Sequence, residues 1–167
     1  MKKFLFMVMT AIFCTVGVQA QTEKGDMAAG GNLSIGFGDS YTNFGLGAKF
    51  QYNVIDNLRL EPTVNYYFKK DYTSMWDLGV NAHYLFSVGD KLNFYPIVGL
   101  GVMGAKLSYD DGYGNEYKDS ATKFMVNLGA GAEYMLTSNV SVNFEYKYRI
   151  CSDMNRSLLT LGVAYHF

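Results

Sequence analysis

Cysteine is scarce in this chain, and so are proline and histidine: 2 of each occur in 167 residues. The cysteines are Cys14 and Cys151. So few thiols exclude a disulfide framework, and no cysteine metal cluster can form. Charge of one sign is lacking too. Fourteen bases stand against 15 acids, a net charge of -1, which is neither a nucleic-acid-binding surplus nor an acidic tail. No C-x-x-C, H-E-x-x-H or phosphate-loop pattern occurs, so no metal or cofactor is expected. Beyond the first twenty residues there is no convincing amphipathic helix. The chain is instead rich in glycine (18), tyrosine (14) and phenylalanine (12).

The opening stretch, MKKFLFMVMTAIFCTVGVQAQ, reads as a secretory signal peptide over residues 1–20. Lys2 and Lys3 give a positive start, Phe4 to Val18 is nearly all apolar, and Val18 and Ala20 flank Gln19 in a small-residue cleavage pattern. The apolar run is too short for the ~20 residues of a spanning helix. Phe13 stands before Cys14 where a lipoprotein signal carries a small residue. Cleavage after Ala20 removes two of the 14 bases and leaves 12 against 15 acids, a net of -3. Cys14 leaves with the signal, and Cys151 remains alone.

Residues 21–167 alternate again and again with period 2, the mark of two-faced strands. NFGLGAKFQYNV puts Phe44, Leu46, Ala48, Phe50, Tyr52 and Val54 on one face, and Gly45, Gly47, Lys49, Gln51 and Asn53 on the other. VSVNFEYKYRI sets Val140, Val142, Phe144, Tyr146, Tyr148 and Ile150 against Ser141, Asn143, Glu145, Lys147 and Arg149. Similar segments start near Gly30, Leu58, Trp76, Leu92, Phe124 and Leu158, and eight strands are expected in all. Tight turns at 55–57, 89–90 and 137–139 alternate with looser polar connections at 38–41, 69–74, 110–120 and 151–155. That rhythm fits an up-and-down antiparallel barrel.

The composition of the two faces sets the closure. One face is bulky and aromatic with hardly any charge. The other carries Lys49, Arg59, Glu61, Lys69, Asp77, His83, Glu133, Glu145, Lys147 and Arg149. An eight-stranded interior is just wide enough to be filled by side chains. Aromatic rings from every strand would overfill it, whereas glycines and paired charges fit. The apolar face therefore points out, to lipid, with tyrosines and phenylalanines near the strand ends as interfacial girdles. Closure also leaves no unpaired backbone edge in lipid. A soluble lipocalin-like barrel is disfavoured, because its Gly-x-Trp signature is missing near the first strand.

The segment LLTLGVAYHF gives the same outward face: Leu159, Leu161, Val163, Tyr165 and Phe167. This aromatic-ended strand resembles the C-terminal signal of bacterial outer-membrane barrels. With the signal peptide and the eight alternating segments, the chain resembles the OmpX/OmpA-type small outer-membrane barrels of the porin family. That resemblance implies an all-β, eight-stranded transmembrane barrel in the outer membrane. It implies export by the secretion machinery, insertion by the barrel-assembly machinery at the terminal signal, and a surface or envelope role.

The interior charges count five bases against four acids, with His83 undecided, and buried charges must be paired. A near-balanced set is expected to plug the lumen; a narrow gated ion path is the alternative. Some barrels of this size modify lipid A, the deacylase type with a His-x-Ser pair and an acid. His83 precedes Tyr84 and Leu85, and His166 precedes Phe167, so neither supplies that pair and no enzyme is expected. The stretch SYDDGYGNEYKDS is the candidate surface contact, through Tyr109, Asp110, Asp111, Tyr113, Glu116, Tyr117 and Asp119. Expected partners are outer-membrane lipid, the export and assembly machineries and an extracellular surface, with no nucleic acid and a monomeric state.

Overall fold

The computed structural model describes residues 23–38, 42–70, 73–110, 116–152 and 155–167. The signal-peptide reading of residues 1–20 lies outside them. Nine strands follow one another: β1 (Met27–Phe37), β2 (Thr42–Ile55), β3 (Leu58–Lys70), β4 (Thr73–Tyr84), β5 (Phe86–Val88), β6 (Leu92–Asp110), β7 (Glu116–Met135), β8 (Val140–Cys151) and β9 (Arg156–His166). β4 and β5 are one crossing broken at Leu85, whose N–H bonds to Asn57 O at 2.7 Å. Both pieces pair with β6. Every pairing is antiparallel, β9 pairs β1, and β4 with β6 closes the ring, so the barrel has eight crossings.

The alternation explains the sheet. Along β8 inward and outward residues take strict turns, with Ser141, Asn143, Glu145, Lys147 and Arg149 buried and Phe144, Tyr146, Tyr148 and Ile150 exposed. The whole outer wall is apolar: Phe44 is 62% exposed and Phe124 61%, while Asp77 and His83 are 0% exposed. A band of this kind far exceeds the apolar patch of a few hundred Å² that a water-soluble monomer tolerates, so its solvent is lipid.

Large residues also enter the lumen, where glycine makes room. Tyr95 lies over Gly131, where an added Cβ would sit 2.6 Å from the ring, and Tyr67 lies over Gly45 at the same 2.6 Å. At the tight turn after β5, Gly89 has φ of 68°, a left-handed conformation that favours glycine.

The looser connections are shorter than the polar composition suggests. β3 runs to Lys70 and β4 starts at Thr73, inside the expected 69–74 loop. The expected loop over 110–120 is largely hairpin, with Tyr109 paired to Tyr117 and Asp110 to Glu116. Tyrosine suits a strand, and pairing satisfies backbone groups above the rim. The hairpin also outruns its neighbours: β4 pairs β6 only to Leu107, and β8 pairs β7 only from Met125.

Candidate functional site

The lumen is built by the inward positions of every crossing, and its middle is ionic. β3 supplies Arg59, whose Nη1 lies 3.0 Å from both carboxylate oxygens of Glu133 on β7. These strands are not neighbours, so the contact crosses the interior. Lys147 Nζ lies 2.6 Å from Glu145 Oε2 on the same strand. Tyr95 donates its hydroxyl to Glu145 Oε1 at 3.0 Å, and the Asn143 amide donates to the same oxygen at 2.8 Å. Lys49 bonds to Asn143 and stands 3.7 Å from Glu61 Oε2, to which Gln51 donates at 2.8 Å. Each charge is almost wholly buried, and a buried charge is tolerated only when paired and hydrogen-bonded.

Towards the looser connections the lining changes. Arg149 Nη1 meets Asp77 Oδ2 at 2.5 Å, and its Nε donates to Asn127 at 3.0 Å. Asn65 donates to the other Asp77 oxygen at 2.7 Å. Around this pair lie Tyr67, Met75 and Leu158 in one cluster, and Met103, Met125 and the free thiol of Cys151 in another. Arg156 lies over the Tyr67 ring, 4.2 Å from its centroid. It falls on the inward phase of β9 two residues before Leu158, between the polar connection of 151–155 and the alternation that starts at Leu158. Extending the alternation backwards from Leu158 would have found it.

At the tight-turn end a cavity of about 170 Å³ is lined by Asp26, Asn53, Asn93, Asn139 and His166, and reaches Arg59 and Glu133. Here Ser141 Oγ lies 2.9 Å from His166 Nε2 and 3.4 Å from Glu133 Oε2. Sequence spacing concealed this Ser–His contact, because the two residues meet only across the β8–β9 pair. Ser141 is 1% exposed, so its hydroxyl ties the mouth to the Arg59–Glu133 pair.

His83, Glu61 and Glu145 bring three donor atoms within 4.8 Å of one another. Two features oppose a metal ion there. Arg59 Nη2, a donor only, faces His83 Nδ1 at 3.4 Å, which places the ring proton on Nε2 and removes the lone pair an ion would take. Lys49 and Lys147 already stand against the two carboxylates.

Of the sequence-derived charges, Lys49, Arg59, Glu61, Asp77, His83, Glu133, Glu145, Lys147 and Arg149 are all buried inside. The side chain of Lys69 lies outside the described part. In the hairpin, Asp111 and Tyr113 lie outside the described residues, and Tyr109, Asp110, Glu116, Tyr117 and Asp119 are placed by their backbone alone. On the last strand Leu161, Val163, Tyr165 and Phe167 are exposed and Leu159 half-buried. The Phe167 N–H bonds to Met27 O at 3.0 Å.

A closed barrel with an apolar outer wall and a charged, hydrogen-bonded interior defines an integral outer-membrane β-barrel protein. The chain belongs to the outer membrane protein beta-barrel domain family, whose model matches residues 6–167. Among solved structures it is similar to Ail, the attachment invasion locus protein of Yersinia pestis, with 20% identity, 86% of this chain and 99% of that one covered, and a TM-score of 0.62. It is similar to neisserial surface protein A at 18% identity, 85% and 96% coverage and a TM-score of 0.68. For the N-terminal β-barrel domain of Pseudomonas aeruginosa OprF the figures are 17%, 86%, 100% and 0.60. Among curated proteins, none matches the sequence.

Proposed function

We propose that this protein is a non-enzymatic, monomeric wall protein of the outer membrane, plugged through its lumen and working through its outward hairpin. The observation that carries the plug is the Arg59–Glu133 contact between non-adjacent strands, 3.0 Å long and buried. Around it the central carboxylates and cations pair off and occupy the cross-section that an eight-stranded barrel offers. The outward role is supported by the β6–β7 hairpin, which continues beyond its partner strands and carries the tyrosines and acids of 109–119. That Ail is by its name an attachment protein agrees with a surface contact.

A narrow ion path is the second reading, favoured by the cavity that reaches Arg59 and Glu133 from the tight-turn end. Planar-bilayer recording of refolded protein separates the two. The plug expects near-silence, and a steady large conductance establishes the channel instead. The outward role is tested by binding of cells to candidate surfaces with residues 109–119 deleted; binding equal to that of the intact chain rejects it.

The outward residues Leu159, Leu161, Val163, Tyr165 and Phe167 serve, on this reading, as the signal for the assembly machinery. Deleting Phe167 leaves the exported chain poorly inserted, read as loss of the heat-modifiable band on a gel. Normal insertion of the deletion refutes the signal.

A further inference from the structure

His83 is the one imidazole set in the ionic middle of the described lumen, and its surroundings are specific. Its ring stacks on Tyr95 of β6, with centroids 4.6 Å apart and planes at 18°. Its Nδ1 accepts from Arg59 Nη2 at 3.4 Å, and its Nε2, fully buried and with no hydrogen-bond partner, faces Glu61 Oε1 at 3.8 Å. The charged groups around it are Arg59 and Glu61 on β3, Lys49 on β2, Glu133 on β7, and Glu145 and Lys147 on β8. Three cations thus balance three carboxylates about a neutral ring.

We propose that protonation of His83 releases Arg59 from the lumenal network and opens the plug to ions. The inference rests on the plugged-lumen reading and names its regulation. Adding a proton at Nδ1 turns an accepting contact into donor against donor, and Arg59 must withdraw. The positive ring draws Glu61 Oε1 across the 3.8 Å gap, away from Lys49 and Gln51. One unbalanced positive charge now sits in a previously neutral group of seven. Arg59 carries the contact with Glu133 across the interior, so its movement breaks the crossing that fills the lumen. The cavity at the tight-turn end, which already reaches Arg59 and Glu133, then connects to the middle.

Bilayer recordings stepped from about pH 7.5 down to about pH 3.5, well below the ordinary imidazole titration because the ring is wholly buried, test this on the full refolded chain. Wild type is expected to open about tenfold more often at the lower pH, an ordinary size for coupling between a bound ligand and a conformational equilibrium. His83→Gln keeps an oxygen to accept from Arg59 and an amide N–H towards Glu61, cannot be protonated, and is expected to stay at the neutral-pH frequency. Acid opening of His83→Gln equal to wild type overturns the proposal and assigns the effect to the carboxylates. Silence of wild type at every pH step leaves the plug standing and overturns the switch alone. Steady wild-type current at neutral pH overturns the plug itself. A measurement needing no variant at position 83 is the ¹⁵N spectrum of histidine-labelled wild type, with His166→Gln to assign the second ring. The His83 signals are expected to change over the same pH interval as the openings, and a His83 ring that stays neutral while openings rise overturns the proposal.

Discussion

Around Glu61, Glu133 and Glu145 each carboxylate meets a cation, whereas near the looser connections the Arg149–Asp77 pair stands among thioethers and an aromatic ring. There the lining turns to sulfur and rings. Met103 Sδ lies 3.9 Å from Arg149 Nη1, Met75 Sδ lies 3.5 Å from Arg156 Nη1, and the Tyr67 face lies against Arg156. Thioether sulfur accepts only weakly, so this half is held more by packing and less by charge. The lesson is that one barrel plugs itself in two ways. Its middle depends on charge balance, which a single lost or gained proton disturbs. Its loop end depends on fit, which tolerates polar changes better and volume changes worse.

The sharpest way to break this comparison is Glu145→Ala. It strips Lys147, Tyr95 and Asn143 of a shared acceptor. Removing one partner of a buried pair costs about 3–5 kcal/mol, less where water enters the lumen. The expected outcome is a lower urea midpoint in detergent together with more frequent openings in a bilayer. The double change Glu145→Ala with Lys147→Met removes both charges and is expected to recover most of the midpoint. An unchanged midpoint for the single variant would mean that the middle is solvated and not paired.

Asp77→Asn probes the other half. Asn keeps an oxygen for Arg149 and loses the charge, its new NH2 obliges the Asn65 amide to turn and accept, and Arg149 retains Asn127. A hydrogen bond to a charged group is worth about 1.5–3 kcal/mol, so the loss falls below that of Glu145→Ala. A larger drop in midpoint than for Glu145→Ala would invert the ranking of the two halves.

How much of this was legible depends on the kind of contact. Faces were legible, because alternation in a strand is local: His83 and Tyr84, or Lys147 and Tyr148, must point to opposite sides. Partners were not. Arg59 and Glu133 meet only once the ring closes, and nothing in their spacing announces it. Arg156 is hidden because it falls between CSDMN, which reads as a loop, and the alternation that starts at Leu158. The 110–120 segment read as loop because its composition is polar, yet above a membrane a polar hairpin still pairs its backbone. Tyr95 and Tyr67 alternate with the outward Phe94 and Tyr66 and so fall on the inward face, but their seats over Gly131 and Gly45 depend on the register between strands.

The smallest expected effect comes from the same substitution made in both halves. Tyr95→Phe keeps the ring stacked on His83 and removes the hydroxyl that donates to Glu145 Oε1 at 3.0 Å. That bond is to a charged acceptor, and its loss costs about 1.5–3 kcal/mol. Tyr67→Phe keeps the face that Arg156 lies on and removes a hydroxyl. Arg149 still holds Asp77 and Asn127, and the ring still offers its cation–π attraction. The cost there is about 0.5–1.5 kcal/mol, the ordinary worth of a hydrogen bond. Side-by-side urea titrations should therefore place Tyr95→Phe below Tyr67→Phe, and bilayer recordings should show more openings for Tyr95→Phe alone. Equal midpoints would mean that the loop-end hydroxyl is as firmly built into a polar network as the central one, and that packing is not what distinguishes the two halves.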